Sequence, residues 1–266
     1  MQQPTGHTVT NAPSARSAER ARRFRRQRGQ AAVEAALTMP LAVFVILGTL
    51  QLFMMLHGRI MAEYAVYRAT RAGSLNQADC RVMTHVAVAA LLPAIGARTD
   101  DGARLATAFR FRSGNRYSVV FDRSSTGMPR TGPIVWIVKR LDRTVTNHNA
   151  NFDDRFHAGS RAELEVDMVF WYPLRIPFAD WVMSRMFLAY YGLMPYVANN
   201  PLMPAERNAM WTREGSSLTG AMGNHMRTRA LIGDYLAPIR TSYRMRMMTP
   251  AMLNGQACPN SPTNIN

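Results

Sequence analysis

Residues 25–56 read RRQRGQAAVEAALTMPLAVFVILGTLQLFMML. The segment contains, in order, a cluster of arginines, a glycine, one carboxylate at Glu34 and an uncharged apolar run. The run from Ala35 to Leu56 holds 22 residues without a charge. As a helix rising ~1.5 Å per residue it measures about 33 Å, enough to cross a hydrocarbon core of about 30 Å. The pattern predicts one transmembrane helix.

The charge that precedes the apolar run predicts its orientation. Residues 16–28 carry seven arginines and one acidic residue, Glu19. Positive charge beside a span stays on the cytoplasmic side, so we expect the N-terminus inside and the bulk of the chain outside. A cleaved secretory signal also begins with basic residues, but its apolar part is only ~7–15 residues long and ends at a small-x-small site. No such site lies near Leu56, which favours a membrane helix.

Glu34 is unusual, because a carboxylate in a membrane helix costs insertion energy, about 2–3 kcal/mol at mid-membrane and less near the interface. Two interpretations are open. Glu34 can lie at headgroup level beside Arg28 and the helix N-terminus, where negative charge is tolerated. Alternatively, a cut between Gly29 and Gln30 would make Glu34 the fifth residue of a mature chain. That arrangement resembles the processing site of type IV prepilins, in which glycine precedes the cut and glutamate occupies position five.

The neighbouring residues narrow this resemblance to one family. Residues 28–37 read RGQAAVEAAL, Pro40 and Gly48 follow, and residues 67–73 read YRATRAG. The pattern resembles the TadE/TadG-like family of tight-adherence (Flp-type) pilus assembly proteins. That family begins with R-G-x-A-x-V-E-F-A-L-x-x-P and leaves the membrane through an alanine-rich helix ending near A-R-x-G. The match covers about 50 residues, and Ala35 stands where the family has phenylalanine.

The resemblance implies a pilin-like protein, a minor pilin or pseudopilin, that acts by helix packing and protein–protein interaction in the biogenesis of a tight-adherence pilus or a related secretion apparatus. The implied partners are the inner membrane, other pilin or pilus-assembly subunits, and a prepilin peptidase that cuts between Gly29 and Gln30. Glu34 and Pro40 are the residues assigned to assembly. The implied localisation is the bacterial inner membrane, single-pass, with a cytoplasmic N-terminus and a periplasmic C-terminal domain; incorporation into a pilus stays open.

The chain is predicted to contain three parts: a disordered basic cytoplasmic leader over residues 1–29, a transmembrane and juxtamembrane helix over 30–75, and a periplasmic domain over 76–266. Helical spacing continues to Leu75, so we expect one long helix that leaves the membrane and enters the domain. Pro40 should be tolerated inside this helix with a local kink. The predicted fold class is α+β, with a short antiparallel sheet packed against the helix.

Periodicity predicts the elements of the domain. Helices are expected at residues 78–95, 178–194 and 227–236, strands at 134–138 and 164–172, a hairpin at 106–121 around Gly114-Asn115, and loops at 141–160 and 198–226. The helix at 178–194 is rich in aromatic residues and methionine. It is therefore expected either to pack on the sheet or to lean on the membrane surface.

The net charge of +15 comes almost entirely from arginine, since Lys139 is the only lysine. A polybasic stretch can bind nucleic acid or anionic lipid. Because this one adjoins a membrane span, topology and lipid headgroups explain it more simply, and nucleic acid is not an expected partner. Salt-sensitive binding of nucleic acid by the mature fragment would favour the opposite interpretation.

No motif for catalysis or metal binding is present: the sequence lacks H-E-x-x-H, G-x-S-x-G, a P-loop and paired C-x-x-C, and its six histidines show no metal-ligand spacing. The acidic residues Glu163, Glu165 and Asp167 alternate along a predicted strand and are interpreted as a solvated face. We therefore expect no enzyme activity, no cofactor and no metal. The alternative is an uncleaved, membrane-tethered periplasmic enzyme or ligand-binding domain.

Cys80 and Cys258 are the only cysteines. The predicted topology places both outside, in a compartment that permits disulfides. Two buried free thiols remain an alternative, but a bridge that ties the C-terminal tail to the first helix of the domain is favoured. A closed loop of that length should contribute about 3–5 kcal/mol in the chain-entropy model.

Overall fold

The computed structural model describes residues 15–95, 102–141, 163–193, 220–249, 251, 257–263 and 265. The elements are α1 (Ala15–Leu75), α2 (Cys80–Ile95), α3 (Gly102–Arg112), β1 (Val135–Leu141), β2 (Glu163–Pro173), α4 (Ala179–Tyr190), α5 (Ala221–Leu231) and β3 (Leu236–Arg246). The α+β class with a long N-terminal helix and an antiparallel sheet is confirmed. The chain divides into two units, Met1–Leu47 and Gly48–Asn266, so residues 48–75 of α1 are grouped with the sheet.

The first helix, α1, is 61 residues long and passes through Pro40 without ending. It begins at Ala15, so residues 15–29 of the leader are helical. This differs from the predicted disorder. Alanine and arginine have high helix propensity, and a helix that the apolar run has already nucleated extends at little further cost.

The sheet is antiparallel with the order β1-β2-β3, so β2 is its central strand. Phe170 of β2 lies opposite Val135 of β1 and Ile239 of β3. Both predicted strands are confirmed, whereas β3 was missed. The predicted helix at 227–236 coincides with α5 only over residues 227–231, and its last residue, Leu236, begins β3. As an edge strand β3 is largely exposed beyond Ile239, which removes the alternation that marks a strand. Its Pro238 is tolerated because edge strands leave one side unpaired.

Residues 106–121 do not form the predicted hairpin. Residues 102–112 are the helix α3, and the following segment forms turns and two isolated bridges, Arg116 with Pro133 and Arg123 with Pro129. Alternating small and aromatic residues suggested a strand, but Ala108 and Arg112 are buried one helical turn apart. The predicted loop at 198–226 is likewise wrong from residue 221, where α5 begins. Residues 142–160 and 198–219 lie outside the described residues.

The second half of α1 lies along β2 and runs antiparallel to it. Gly73 lies against Leu164 at the start of β2, and Gly58 lies against Tyr172 at its end. Fifteen helical residues rise about 22 Å and eight strand residues about 26 Å, so the two elements match in length. The helix face between these glycines is fully or almost fully buried and consists of Ala62, Ala65, Val66, Ala69 and Thr70.

The other helices complete the core on both faces of the sheet. On the α1 side, α2 contacts β1, and its Met83 lies against Gly73. Trp171 and its neighbour Tyr172 point to opposite faces of the sheet, because successive side chains of a strand alternate. His225 of α5 contacts the ring of Trp171, so α5 lies on the face opposite α1. The helix predicted at 178–194 is α4, which contacts both α5 and β3. The sheet is therefore covered on both faces over the Trp171 end of β2.

Candidate functional site

The first half of α1 has the properties of a membrane helix. Among the described residues, one helical stretch, Ala32–Leu75, is long and apolar enough to cross a membrane, which suggests single-pass anchoring. Large apolar side chains are exposed around its first part: Val33, Leu37, Met39, Leu41, Val43, Val45, Ile46 and Leu50. In water such a surface would be strongly unfavourable, so lipid or another apolar helix must cover it.

The residues predicted for processing and assembly all lie on α1. Gly29, Gln30, Glu34 and Pro40 fall within its bounds, and Glu34 and Pro40 are exposed. The Thr38 hydroxyl donates a hydrogen bond to the backbone carbonyl of Glu34 at 2.9 Å. Gln30 and Glu34 are separated by four residues and therefore occupy the same face of the helix. Pro40 lacks an N–H, which removes one helical hydrogen bond at this position.

Gln51 is a buried polar residue of α1 that the sequence reasoning missed. It lies inside the predicted span, yet its side chain is 0% exposed. Its Oε1 atom accepts hydrogen bonds from the backbone N–H groups of Arg175 at 3.2 Å and Ile176 at 3.0 Å. The segment at residues 175–176 therefore contacts α1 at residue 51, five residues before the apolar run ends at Leu56. The available signal was a lone amide within an apolar run, the same kind of signal that singled out Glu34.

The segment held by Gln51 is fixed from two further directions. Arg175 donates from Nη2 to the backbone carbonyl of Ala94 at 2.7 Å, which joins this segment to the end of α2. Arg130 donates from Nη2 to the backbone carbonyl of Leu174 at 2.9 Å. Burial lowers the pKa of Arg175. Because Gln51 and Arg130 bind backbone atoms of residues 174–176 and the Arg175 side chain binds the end of α2, the position of this segment against α1 is well defined.

Five charged side chains form a buried group in the second unit. Arg112 Nη2 pairs with Asp122 Oδ1 at 2.5 Å. The Asp234 carboxylate pairs with two arginines: Oδ1 lies 3.2 Å from Arg130 Nε, and Oδ2 lies 3.3 Å from Arg229 Nη1. The Arg130–Asp234 contact is a buried ion pair. Burial raises the pKa of Asp234, and the two arginines oppose that rise.

Each of these five side chains is more than nine-tenths buried and pairs with an opposite charge. Losing one partner of such a pair typically costs about 3–5 kcal/mol, because the remaining charge is left buried and unpaired. Among the described residues, no group of three or more histidine, cysteine or acidic side chains could hold a metal ion. Two of the three acidic side chains on β2 have basic partners across the sheet: Glu163 pairs with Arg244 and Asp167 with Arg140.

The two cysteines lie at the end of the sheet where α1 stops. In the structure Cys80, the first residue of α2, is bonded to Cys258. The Cys258 N–H donates to the carbonyl of Ile137 at 3.0 Å, so the C-terminal tail adds to the free edge of β1. Lys139 donates from Nζ to the carbonyl of Ala78 at 2.9 Å, and burial lowers its pKa. The turn that follows α1 is therefore held in place by the Lys139 side chain and by the Cys80–Cys258 disulfide.

The part of the chain that matches a known family lies within α1. A family model described as TadE-like protein matches residues 29–71 of the chain. This confirms the predicted resemblance over those residues, and it implies involvement in the assembly of tight-adherence pili. No match to the chain is found among curated proteins or among solved structures.

Proposed function

We propose that this chain, whose residues 29–71 match the TadE-like family, is a pilin-like subunit in the assembly of a tight-adherence pilus or a related secretion apparatus. The observation that carries the proposal is the division of α1. One helix has a bare apolar half and a half embedded in an α+β domain. The exposed apolar half can be covered by lipid or by the helices of neighbouring subunits, because both environments are apolar.

Maturation is part of the proposal. The arginines at residues 16–28 favour a cytoplasmic N-terminus, and a prepilin peptidase of the inner membrane then removes residues 1–29. The intact mass of the membrane-extracted protein, from cells that express an active peptidase, should correspond to a chain starting at Gln30. A mass that still includes Met1 to Gly29 would contradict maturation and would favour an uncleaved, membrane-tethered domain.

Glu34 gives the proposed assembly its specificity. After cleavage, the ammonium group of Gln30 and the carboxylate of Glu34 lie about one helical turn apart at the edge of the bilayer. Each charge is costly there unless it is paired or hydrated. In a single subunit the headgroups serve this purpose. When subunits pack, Glu34 can pair with the N-terminus of an incoming subunit, so that charge complementarity selects the register of packing.

The test compares two exposed carboxylates on the same helix. Glu34→Ala should leave membrane insertion and processing intact but abolish recruitment into the assembly, and Glu34→Asp should be intermediate because of its shorter reach. Glu63→Ala is the matched control, since Glu63 is also exposed on α1 and pairs only locally with Arg59 at 3.1 Å. The measurement is co-purification with pilus-assembly components from membranes with equal amounts of processed protein. Wild-type association of Glu34→Ala would refute this role.

A further inference from the structure

The exposed face of α4 is apolar and aromatic. Four large side chains lie on it, each between about half and two thirds exposed: Phe178, Trp181, Met186 and Tyr190. These residues, together with Arg185, are called the α4 face below. The opposite side of the helix carries the buried residues Asp180, Ser184 and Leu188 and packs into the second unit. The α4 face is therefore a surface that the described residues of the second unit leave to solvent.

The hydrogen bonds of Gln51 locate this face relative to the membrane helix. Gln51 binds the backbone of Arg175 and Ile176, and the α4 face begins two residues later at Phe178. Two residues of chain span at most about 7 Å. The start of α4 therefore lies at the level of residue 51 on α1, which is still within the apolar run.

On its exposed side, α1 stays apolar beyond this level. Leu52, Phe53 and Leu56 are all more than half exposed, and the first charged residue after them is Arg59. Leu56 lies about 7 Å and Arg59 about 12 Å beyond Gln51 along the helix. The headgroup layer that follows the hydrocarbon core is only about 5–7 Å thick on each side. A bilayer that covers Leu52 to Leu56 must therefore reach the start of α4 as well.

The chemistry of the α4 face suits the headgroup region. Tryptophan and tyrosine concentrate at membrane interfaces, and arginine extends its cation to the phosphates while its stem stays in the apolar layer. The Arg185 guanidinium carbon lies 5.9 Å from the centre of the Trp181 ring. The one acidic residue of α4, Asp180, is 1% exposed and points away from the face. Phe178 is held at a φ of 71°, which is unfavourable for a residue other than glycine, and its ring is exposed.

We propose that the α4 face is a second membrane contact of this protein, seated where the acyl chains meet the headgroups of the bilayer that α1 crosses. Its aromatic and methionine side chains reach the acyl boundary, and Arg185 contacts lipid phosphate. The contact would fix the rotation and height of the domain over the bilayer, which a single helix leaves free. It depends only on membrane anchoring by α1 and goes beyond the proposed role in pilus assembly.

The test places one tryptophan on the α4 face and one far from it. Met186→Trp and Met248→Trp are matched, because the two methionines are 64% and 54% exposed. The backbone N–H of Met248 donates to the carbonyl of Ser74 at 3.0 Å. Ser74 lies about 34 Å beyond Gln51 along α1, so Met248 is remote from the proposed contact. The full chain is reconstituted into vesicles of phosphatidylcholine and phosphatidylglycerol, with or without brominated acyl chains, and the added emission is compared with that of the wild type.

Brominated lipid should quench the tryptophan at 186 several-fold more than the tryptophan at 248, and aqueous iodide should show the opposite order. Trp181→Phe provides a second test with a conservative change: it should lower the lipid-quenchable emission of the otherwise wild-type chain. Equal access of iodide to positions 186 and 248, without lipid quenching at 186, would overturn the proposal. Protection of position 186 from both quenchers would also overturn it, because protein rather than lipid would then cover the face.

Discussion

The two halves of α1 share a helical backbone but present side chains of different size. From residue 33 to residue 50 the exposed side chains are large and apolar, whereas the buried face from residue 58 to residue 73 is mainly glycine and alanine. A methyl group added at Gly58 would lie 2.6 Å from the ring of Tyr172, while one added at Gly48 would meet no atom within 4 Å. Side-chain volume therefore decides which half approaches the sheet, and helix propensity does not.

The polar residues of the two halves show the same difference. Glu34 is exposed, and its carboxylate is available to lipid headgroups or to another subunit. Gln51 is buried, and it binds two backbone N–H groups. The first half is therefore suited to exchange partners, whereas the second half packs permanently against its own domain.

The largest effect should come from the disulfide at the end of the committed half. Replacing both Cys80 and Cys258 by serine should destabilise the full chain in detergent by about 3–5 kcal/mol in denaturant unfolding, because the bridge closes a loop of 178 residues. Reductant should lower the stability of the wild type to that of the variant. Equal stability with and without reductant would contradict the prediction.

The bridge can also be tested directly, without a substitution. A thiol-specific reagent added to the denatured, unreduced protein should leave Cys80 and Cys258 unmodified, because both sulfurs are bonded in the structure. The same reagent should modify both residues after reduction, which serves as the control. Modification of both cysteines before reduction would show that the native chain carries free thiols.

The next effect separates the two halves by the same substitution. Gly58→Ala should destabilise the protein by about 1–3 kcal/mol, because the added methyl group collides with a buried aromatic ring. Gly48→Ala is the matched control and should be neutral or stabilising by up to about 1 kcal/mol, since alanine favours helix. The measurement is the denaturation midpoint of each variant in detergent. Similar midpoints would mean that α1 does not approach the sheet as closely as described.

The smallest effect concerns the sheet face opposite α1. Burial, reinforced by Arg229, lowers the pKa of His225 to about 4 from its ordinary 6.5. Its ring lies against Trp171 and Trp136. Between pH 6.5 and 4 the unfolded chain binds a proton that the folded chain excludes, so stability should be full above this window and fall as pH drops through it.

The loss should be about 1–3 kcal/mol, which is less than full linkage because the ring is partly exposed. His225→Phe should remove this part of the pH dependence and leave the remainder of the profile in place. The measurement is the free energy of unfolding of both proteins between pH 7 and pH 4. Parallel profiles for the two proteins would show that His225 titrates normally in the native state.

Local patterns were sufficient for α1 from residue 30 onward, α2, β1 and β2. An uncharged run, a continuous helical spacing and a clean alternation each lie within one short stretch of sequence, and tertiary contacts reinforce them. The processing and assembly roles proposed for Gly29 and Glu34 also rest on a local signal, because the pattern is a fixed spacing next to the apolar run. These are the features for which neighbouring residues carry the whole physical argument.

The remaining features were decided by residues far apart in the chain. Arg130 has the appearance of a surface charge in the sequence, but it is buried against Asp234, and neither segment alone indicates the pairing. The edge strand β3 has little alternation of its own and is defined by β2. Gln51 belongs to the membrane run by composition, yet it is buried because a loop more than 120 residues later offers two N–H groups. Burial and pairing depend on which segments meet, and only the tertiary structure brings those segments together.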